Sequence, residues 1–183
     1  MANNCYNYIQ ISGSAEEIKE FRSILKSKDK QESGTDIYFN LKAYFNASTG
    51  NDGRWFEINT HEEENETEII ISGDSAWTPC LTLFTVISEK FQSFVIRYEY
   101  DESGCDFSGW ADIQKGFCNN HQFTYWKGLF ERDGEDDTLC FIITNEIECY
   151  DTEEELKEAD FFGLFSKESQ KELIQNWKEN NQN

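Results

Sequence analysis

The chain has 183 residues, with 36 acidic and 16 basic side chains, a formal net charge of −20 and an aromatic content of 15%. This length accommodates one hydrophobic core with a small extension, and the aromatic content indicates a folded chain. The excess of carboxylates argues against direct binding to nucleic acid or to an anionic membrane, and it favours a basic protein partner.

The N-terminal segment predicts a strand followed by a helix. Cys5 to Ser12 alternates polar and apolar residues with the period of a half-buried strand, which Gly13 ends. Ser14 and Glu17 then have the spacing of a capping box, and apolar residues at helical spacing follow. We therefore expect a helix over about residues 15–27.

Further strand signals come next. The segments 37–45, 55–58 and 68–72 are rich in aromatic and β-branched residues, and we predict that they form consecutive antiparallel strands. Thr78-Pro79 is typical of a helix start, and apolar residues at helical spacing follow it as far as Lys90. A second helix is expected there.

Two more strands complete the predicted core. Residues 94–100 read as a strand, and residues 107–115 read as its hairpin partner. Two helices inserted among antiparallel strands must each bury one apolar stripe on the sheet. We therefore predict an α+β fold with a ferredoxin-like antiparallel sheet over residues 1–117 and both helices packed on one face.

The remaining residues, 118–183, are predicted to form an acidic β/α extension packed on the core. Segments 122–126 and 138–144 resemble a β-hairpin joined by an acidic turn. Helices are expected over about 152–159, with a capping box at its start, and over 166–177.

Four segments of the predicted core also match a known pattern. They are the opening Met1 to Asn7 with its Ile-x-Ile-x-Gly13 strand, Gly73 to Pro79, Phe94 to Tyr100, and Asp101 to Gly109. Together they resemble the YubB-type ferredoxin-like family, which is carried largely by plasmids and phages and has no established biochemical activity. The chain departs from the family pattern at Asn4, where the family usually has Trp, and at Cys80, where it has Pro or a small residue. The resemblance implies the fold and a mobile-element origin, and it provides no catalytic residue.

No residue pattern predicts a catalytic, cofactor or metal site. The nucleophile-elbow, P-loop and dinucleotide-binding motifs are absent, and we expect the chain to be no enzyme. His61 and His121 lack ligand partners at suitable spacing and are expected in exposed loops. The six cysteines lack CxxC spacing and are expected to be small buried residues, and the five tryptophans are expected mostly in the core.

The acidic residues are concentrated in two segments, which are the candidate partner-binding sites. Residues 57–74 carry a net charge of −7 and residues 131–160 carry −11. Clustered carboxylates resemble a phosphate backbone and can occupy the basic groove of a nucleic-acid enzyme. The predicted contact residues are Glu62, Glu63, Glu64, Glu66, Glu68, Asp133, Glu135, Asp136, Asp137, Glu153, Glu154 and Glu155.

The leading hypothesis is a cytoplasmic phage or plasmid inhibitor of a host nucleic-acid-targeting defence enzyme, an anti-CRISPR or anti-restriction protein. Its partner would be a basic nuclease or its RNA-guided complex. Solubility is a competing explanation for the charge, since charge runs usually form solvated faces. Two other functions stay open. One is an RNA-binding module that uses a basic or neutral sheet face with exposed Trp or Tyr, and the other is a cofactor-free enzyme with a buried carboxylate pair.

Overall fold

A computed structural model describes residues 3–28, 34–48, 50, 52–61 and 65–181. Contacts divide the chain into two compact units, Met1–Gln122 and Phe123–Asn183. The elements of the first unit are β1 (Asn4–Ser12), α1 (Ala15–Lys28), α2 (Gly34–Phe45), β2 (Asn59–His61), β3 (Glu68–Ala76), α3 (Leu81–Lys90), β4 (Val95–Glu102), β5 (Phe107–Gln114) and β6 (Phe117–Phe123). Those of the second are α4 (Tyr125–Asp133), α5 (Glu135–Asn145), α6 (Glu153–Glu158) and α7 (Lys167–Asn181).

The first unit is an antiparallel sheet with the strand order β2-β3-β1-β4-β5-β6. Strand β1 lies between β3 and β4, so that Ile9 pairs with Ile71 on one side and with Tyr98 on the other. Lys115 and Gly116, both with positive φ, form the two-residue turn between β5 and β6. The prediction of an α+β fold with a ferredoxin-like antiparallel sheet is confirmed.

The sheet buries one of its two faces. In β1 the odd-numbered side chains from Cys5 to Ile11 are inaccessible to solvent, whereas the even-numbered ones are exposed or half-buried. The buried face packs against α1, α2 and α3 in a single apolar cluster that includes Phe21, Leu41 and Phe84. The two predicted helices therefore lie on one face as expected, and α2 is a third.

A polar network runs through this core. Asn7 Nδ2 lies 3.0 Å from Ser75 Oγ and also donates to two backbone carbonyl oxygens, one of them from Gly73 at 3.1 Å. The Tyr98 hydroxyl donates to Asn7 Oδ1 over 2.9 Å and accepts from the Cys80 amide over 2.9 Å. The network ties β1, β3 and β4 to the start of α3.

The predicted strand over residues 37–45 is wrong, because α2 occupies this segment. Its buried side chains are Ile37, Tyr38 and Leu41, with Phe45 partly buried against the same cluster, and this is helical spacing. Tyr38 and Phe45, aromatic residues that favour a strand by intrinsic propensity, therefore lie on the buried face of a helix.

Two smaller predictions in the first unit also need correction. The strand predicted over 55–58 is reduced to an isolated bridge between Phe56 and Ser75, and β2 follows it. Helix α3 begins at Leu81 with no side-chain cap from its preceding residue. Its cap is Asp52, whose carboxylate accepts from the amides of Thr82 at 2.8 Å and Leu83 at 3.0 Å. Burial raises the pKa of Asp52 in spite of these hydrogen bonds.

The second unit is helical, so the predicted β-hairpin over 122–126 and 138–144 is wrong. Strand β6 ends at Phe123, and the rest of this region forms α4 and α5, which meet at Gly134 with φ 89°. Leu139 and Ile142 are buried one helical turn apart in the second core. The helices predicted over 152–159 and 166–177 are confirmed as α6 and α7.

Some expectations about individual side chains are also corrected. Only Cys5 and Cys80 are buried, and the other four cysteines are exposed. None of the five tryptophans is fully buried, and Trp77 is 39% exposed at a φ of 73°. His61 and His121 lie in strands, β2 and β6, and not in loops.

Candidate partner-binding site

The first acidic segment is only partly on the described surface. Glu62, Glu63 and Glu64 lie outside the described residues. Glu66 is exposed in the turn that precedes β3. Glu68 begins β3, is half-buried, and accepts hydrogen bonds from Gln10 Nε2 and, at 3.3 Å, from Asn65 Nδ2.

Two of the predicted acids around the start of α5 have structural partners. Asp133 receives two hydrogen bonds from the guanidinium of Arg132, at 2.6 and 2.8 Å. Glu135 Oε1 accepts from the Ser166 amide at 2.8 Å and from Ser169 Oγ at 2.6 Å, and these bonds hold the pKa of Glu135 below its usual value. Glu135 thus holds the N-terminal end of α7 at Ser166, 31 residues further along the chain.

Two of the acids at the start of α6 also have structural partners. The side-chain cap predicted at Thr152 is confirmed, since Thr152 Oγ1 accepts from the Glu155 amide. The returning bond of the predicted capping box lies one residue earlier, since Glu155 Oε2 accepts from the Asp151 amide. Glu153 forms ion pairs with Lys157 at 2.5 Å and Lys178 at 2.9 Å, which lower its pKa.

Four predicted contact residues remain that face solvent and make no hydrogen bond or ion pair within the described parts of the chain. They are Glu66, Asp136, Asp137 and Glu154. Three of them lie in the first turns of α5 and α6, where the helix dipole favours carboxylates. We call these four residues the free acidic set.

Sequence reasoning missed the open face of the sheet, the face of β1, β3, β4 and β5 opposite the core. Its side chains are identified by the strand register, which sets Tyr6, Tyr8 and Gln10 of β1 beside residues of β3 and β4. The face carries five carboxylates and one guanidinium, from Glu68, Asp74, Glu99, Asp101, Asp112 and Arg97. A face of this composition repels phosphates and attracts cationic groups.

A stack of an imidazole, an indole and a guanidinium runs from β6 across β5 to β4. The rings of His121 and Trp110 are stacked with centroids 5.1 Å apart, and the guanidinium of Arg97 lies 5.0 Å from the Trp110 ring. Arg97 also pairs with Glu99 at 3.2 Å and with Asp112 at 3.1 Å. The one cation of the face is therefore already neutralised by its neighbours.

Tyr6 stands at the other end of the face and is 46% exposed. The register places it between Asp74 of β3 and Asp101 of β4. An exposed aromatic ring flanked by two carboxylates is suited to a guanidinium or ammonium group, because cation–π attraction and ion pairing act together.

The carboxylates within the described ranges bear on acid–base catalysis, which would need a buried pair of them. Glu102 is the only fully buried carboxylate in the described ranges, and its Oε2 has no hydrogen-bond partner. Its neighbours in sequence, Asp101 and Asp106, are half-buried and exposed, so the described residues contain no buried acid pair. No group of three or more potential metal ligands occurs among them.

A surface groove of about 410 Å³ beside α2 and α3 is lined by Tyr44, Phe45, Val86, Glu89 and Lys90. The ammonium of Lys90 lies 4.8 Å from the Tyr44 ring and 5.4 Å from the Phe45 ring, and it donates to the Tyr44 hydroxyl. The aromatic rings of this groove are therefore already in contact with the Lys90 ammonium group.

No helix within the described parts of the chain is both long and apolar enough to cross a bilayer. Comparisons of the chain with models of known protein families, with characterised proteins and with solved structures find no significant match.

Proposed function

We propose that this chain is a non-enzymatic interaction protein of a mobile element that inhibits a host nucleic-acid-targeting enzyme by occupying its basic nucleic-acid-binding surface. The target class is a nuclease of a restriction or CRISPR system, acting alone or as an RNA-guided complex. Such surfaces present rows of Lys and Arg to a phosphate backbone, and an array of carboxylates competes for the same groups.

The observation that carries the proposal is the composition of the open sheet face. A ferredoxin-like sheet that binds RNA combines exposed aromatic rings with basic side chains. Here the rings of Tyr6 and Trp110 are accompanied by five carboxylates, and the single guanidinium, that of Arg97, is paired with two of them. The open face therefore has the aromatic rings of an RNA-binding sheet, but its net charge is negative, whereas RNA binding requires a positive charge. A face of this kind favours a cationic protein surface as its ligand.

The free acidic set provides carboxylates for a basic partner in both units. Glu66 belongs to the first unit, and Asp136, Asp137 and Glu154 belong to the second. Their carboxylates are not used by caps or ion pairs of the described residues, so they are available to a partner. Long-range attraction between such charges and a basic surface raises the association rate at low ionic strength.

The proposal is tested by capture and displacement. The tagged chain is used to capture proteins from a host lysate, and each captured protein is purified and assayed for nucleic-acid binding in the presence of the chain. We expect stoichiometric displacement of DNA or RNA from the captured protein. If a saturating amount of the chain leaves nucleic acid bound, or if the chain itself shifts RNA in the assay, inhibition by acidic competition is refuted.

A matched pair of charge-reversed proteins identifies the contact. In the first, the free acidic set Glu66, Asp136, Asp137 and Glu154 is changed to Lys. In the control, four exposed acids from outside the predicted sites, Glu16, Glu89, Glu168 and Glu172, are changed to Lys, which alters the net charge equally. We expect the association rate to fall at least tenfold more in the first protein than in the control.

A further inference from the structure

Strand β6 forms one edge of the sheet, and no strand among the described residues covers its outer side. Most of its side chains are exposed on both faces, and Phe117 is 80% exposed. The backbone amides and carbonyls that point away from an edge strand form a template for a further strand. The edge is seven residues long, whereas β2 at the opposite edge has three.

The composition of β6 is unusual for an exposed edge in this chain. Natural proteins protect edge strands with charged residues, proline, bulges or short length. Phe117–Phe123 has the sequence FCNNHQF, with no Lys, Arg, Asp, Glu or Pro. Moreover, residues 113–130 contain no acidic residue at all, although the chain has 36. This edge therefore lacks the usual devices against strand addition.

The sequence of β6 has a phenylalanine at each end, at equal distance from its central residue, Asn120. Antiparallel pairing of two copies about Asn120 sets Phe117 opposite the second copy's Phe123 at each end of the strand. It also sets Asn119 opposite His121, and Cys118 opposite Gln122. Aromatic pairs directly across an antiparallel ladder stabilise it. Asn119 Nδ2 and His121 Nε2 already lie 2.9 Å apart within one strand.

We propose that β6 pairs with β6 of a second copy of this chain, antiparallel and centred on Asn120, to form a two-fold symmetric dimer with a continuous sheet. The two-fold arrangement is the usual one for a self-complementary patch. The centre of the strand is anchored to the core, since Asn120 Oδ1 accepts from the Tyr100 hydroxyl at 2.7 Å. His121 is likewise held by its stack on Trp110.

The charge distribution favours β6 as the contact between two copies. Two chains of −20 repel each other, and the repulsion is smallest where the contacting surface carries no carboxylate. Raising the ionic strength screens the repulsion, so dimerisation is strengthened by salt. Binding of a basic partner is weakened by salt, and the two associations are therefore distinguished by the sign of their salt dependence. The seam is smaller than a standard interface of roughly 1,600 Å², so we expect a dissociation constant on the order of 100 µM.

The test measures dimerisation of the full chain by sedimentation equilibrium in reducing buffer. One variant, Cys118→Glu with Gln122→Glu, sets acid opposite acid at both ends of the seam. A second, Cys118→Lys with Gln122→Glu, sets Lys opposite Glu twice, but only in the proposed register. Both positions are exposed in the monomer, and urea unfolding of each variant checks that the fold is retained. Lys167→Gln with Lys171→Gln serves as the control, because it lowers the net charge by the same amount as the first variant and lies on α7.

We expect the acid–acid variant to dimerise at least tenfold more weakly than the native chain, while the Lys–Glu variant dimerises at least as tightly. The control should change the dissociation constant less than threefold, and salt should tighten the native dimer. A native chain that stays monomeric up to about 1 mM overturns the proposal. So does equal dimerisation of the two double variants, which would place the contact elsewhere or in another register.

Discussion

The buried hydrogen-bond network around Asn7 makes a quantitative prediction about stability. Tyr98→Phe removes one hydroxyl, which leaves the buried Cys80 amide without that acceptor and leaves Asn7 Oδ1 with only the weak thiol donor Cys5 Sγ at 3.9 Å. Each unsatisfied buried group costs about 1 to 3 kcal/mol, so we expect a loss of about 2 to 4 kcal/mol in the free energy of unfolding. Asn7→Ala removes the acceptor of Tyr98 and the donor to Ser75 Oγ and two carbonyls, and we expect a loss of about 3 to 5 kcal/mol.

The double-mutant cycle isolates the link between the two side chains. The bond between the Tyr98 hydroxyl and Asn7 Oδ1, 2.9 Å long, is lost in both single variants but is counted only once in the double. The double variant should therefore lose about 1 to 2 kcal/mol less than the sum of the singles. The measurement is urea unfolding followed by tryptophan fluorescence. Additivity to within about 0.3 kcal/mol would refute the network as a coupled unit.

Three further predictions concern the core, a helix cap and the thiols. Phe21→Ala should lose about 3 to 5 kcal/mol in urea unfolding, because its ring is fully buried, whereas Phe117→Ala should change stability by less than about 0.5 kcal/mol. Thr152→Ala removes the side-chain cap of α6 and should destabilise the second unit by about 1 kcal/mol, and Thr152→Ser should restore most of this loss. Burial raises the pKa of Cys5 and raises that of Cys80 to about 12. At pH 8 iodoacetamide should therefore modify the four exposed cysteines and spare these two until urea unfolds the chain, as read by mass spectrometry. Modification of all six thiols at one rate in the native protein would contradict the assigned core.

The N-terminal part of the fold could be predicted because local pattern and tertiary environment agree there. The alternation of β1 and the apolar stripe of α1 both face the same buried cluster. Helix α2 could not be predicted in this way. Its residues 37–45 favour a strand by intrinsic propensity, and only packing of Ile37 and Leu41 on the sheet decides for a helix.

The helical second unit was missed for a related reason. Apolar residues in 138–144 are contiguous, and a short contiguous run cannot distinguish a buried helix from a strand. The sequence signal for a helix lies just before it, in Glu135, Asp136 and Asp137. Three successive acids after a glycine are typical of a first helical turn as well as of a solvated turn.

The candidate site was predictable in composition but not in geometry. The sequence shows where carboxylates are dense, but it cannot show that Glu135 reaches Ser166 and Ser169, or that Glu153 is shared by two lysines. The open sheet face depends on register, which brings together residues as distant in sequence as Tyr6, Asp74 and Asp101. Such a surface becomes visible only when the strand order is known.

This division among the acids decides how a partner-binding experiment must be interpreted. Reversing Glu135 or Glu153 places a cation where serine donors or lysines already lie, so it damages the packing of α7 and α6 whether or not a partner exists. A loss of binding in such a variant carries no information about the contact. Asp136 and Glu154 lie one residue further along the same helices and face solvent, so their reversal leaves those bonds intact. A fall in association rate that follows Asp136 and Glu154, with unfolding of the second unit unchanged, therefore separates recognition by charge from the role of charge in the fold.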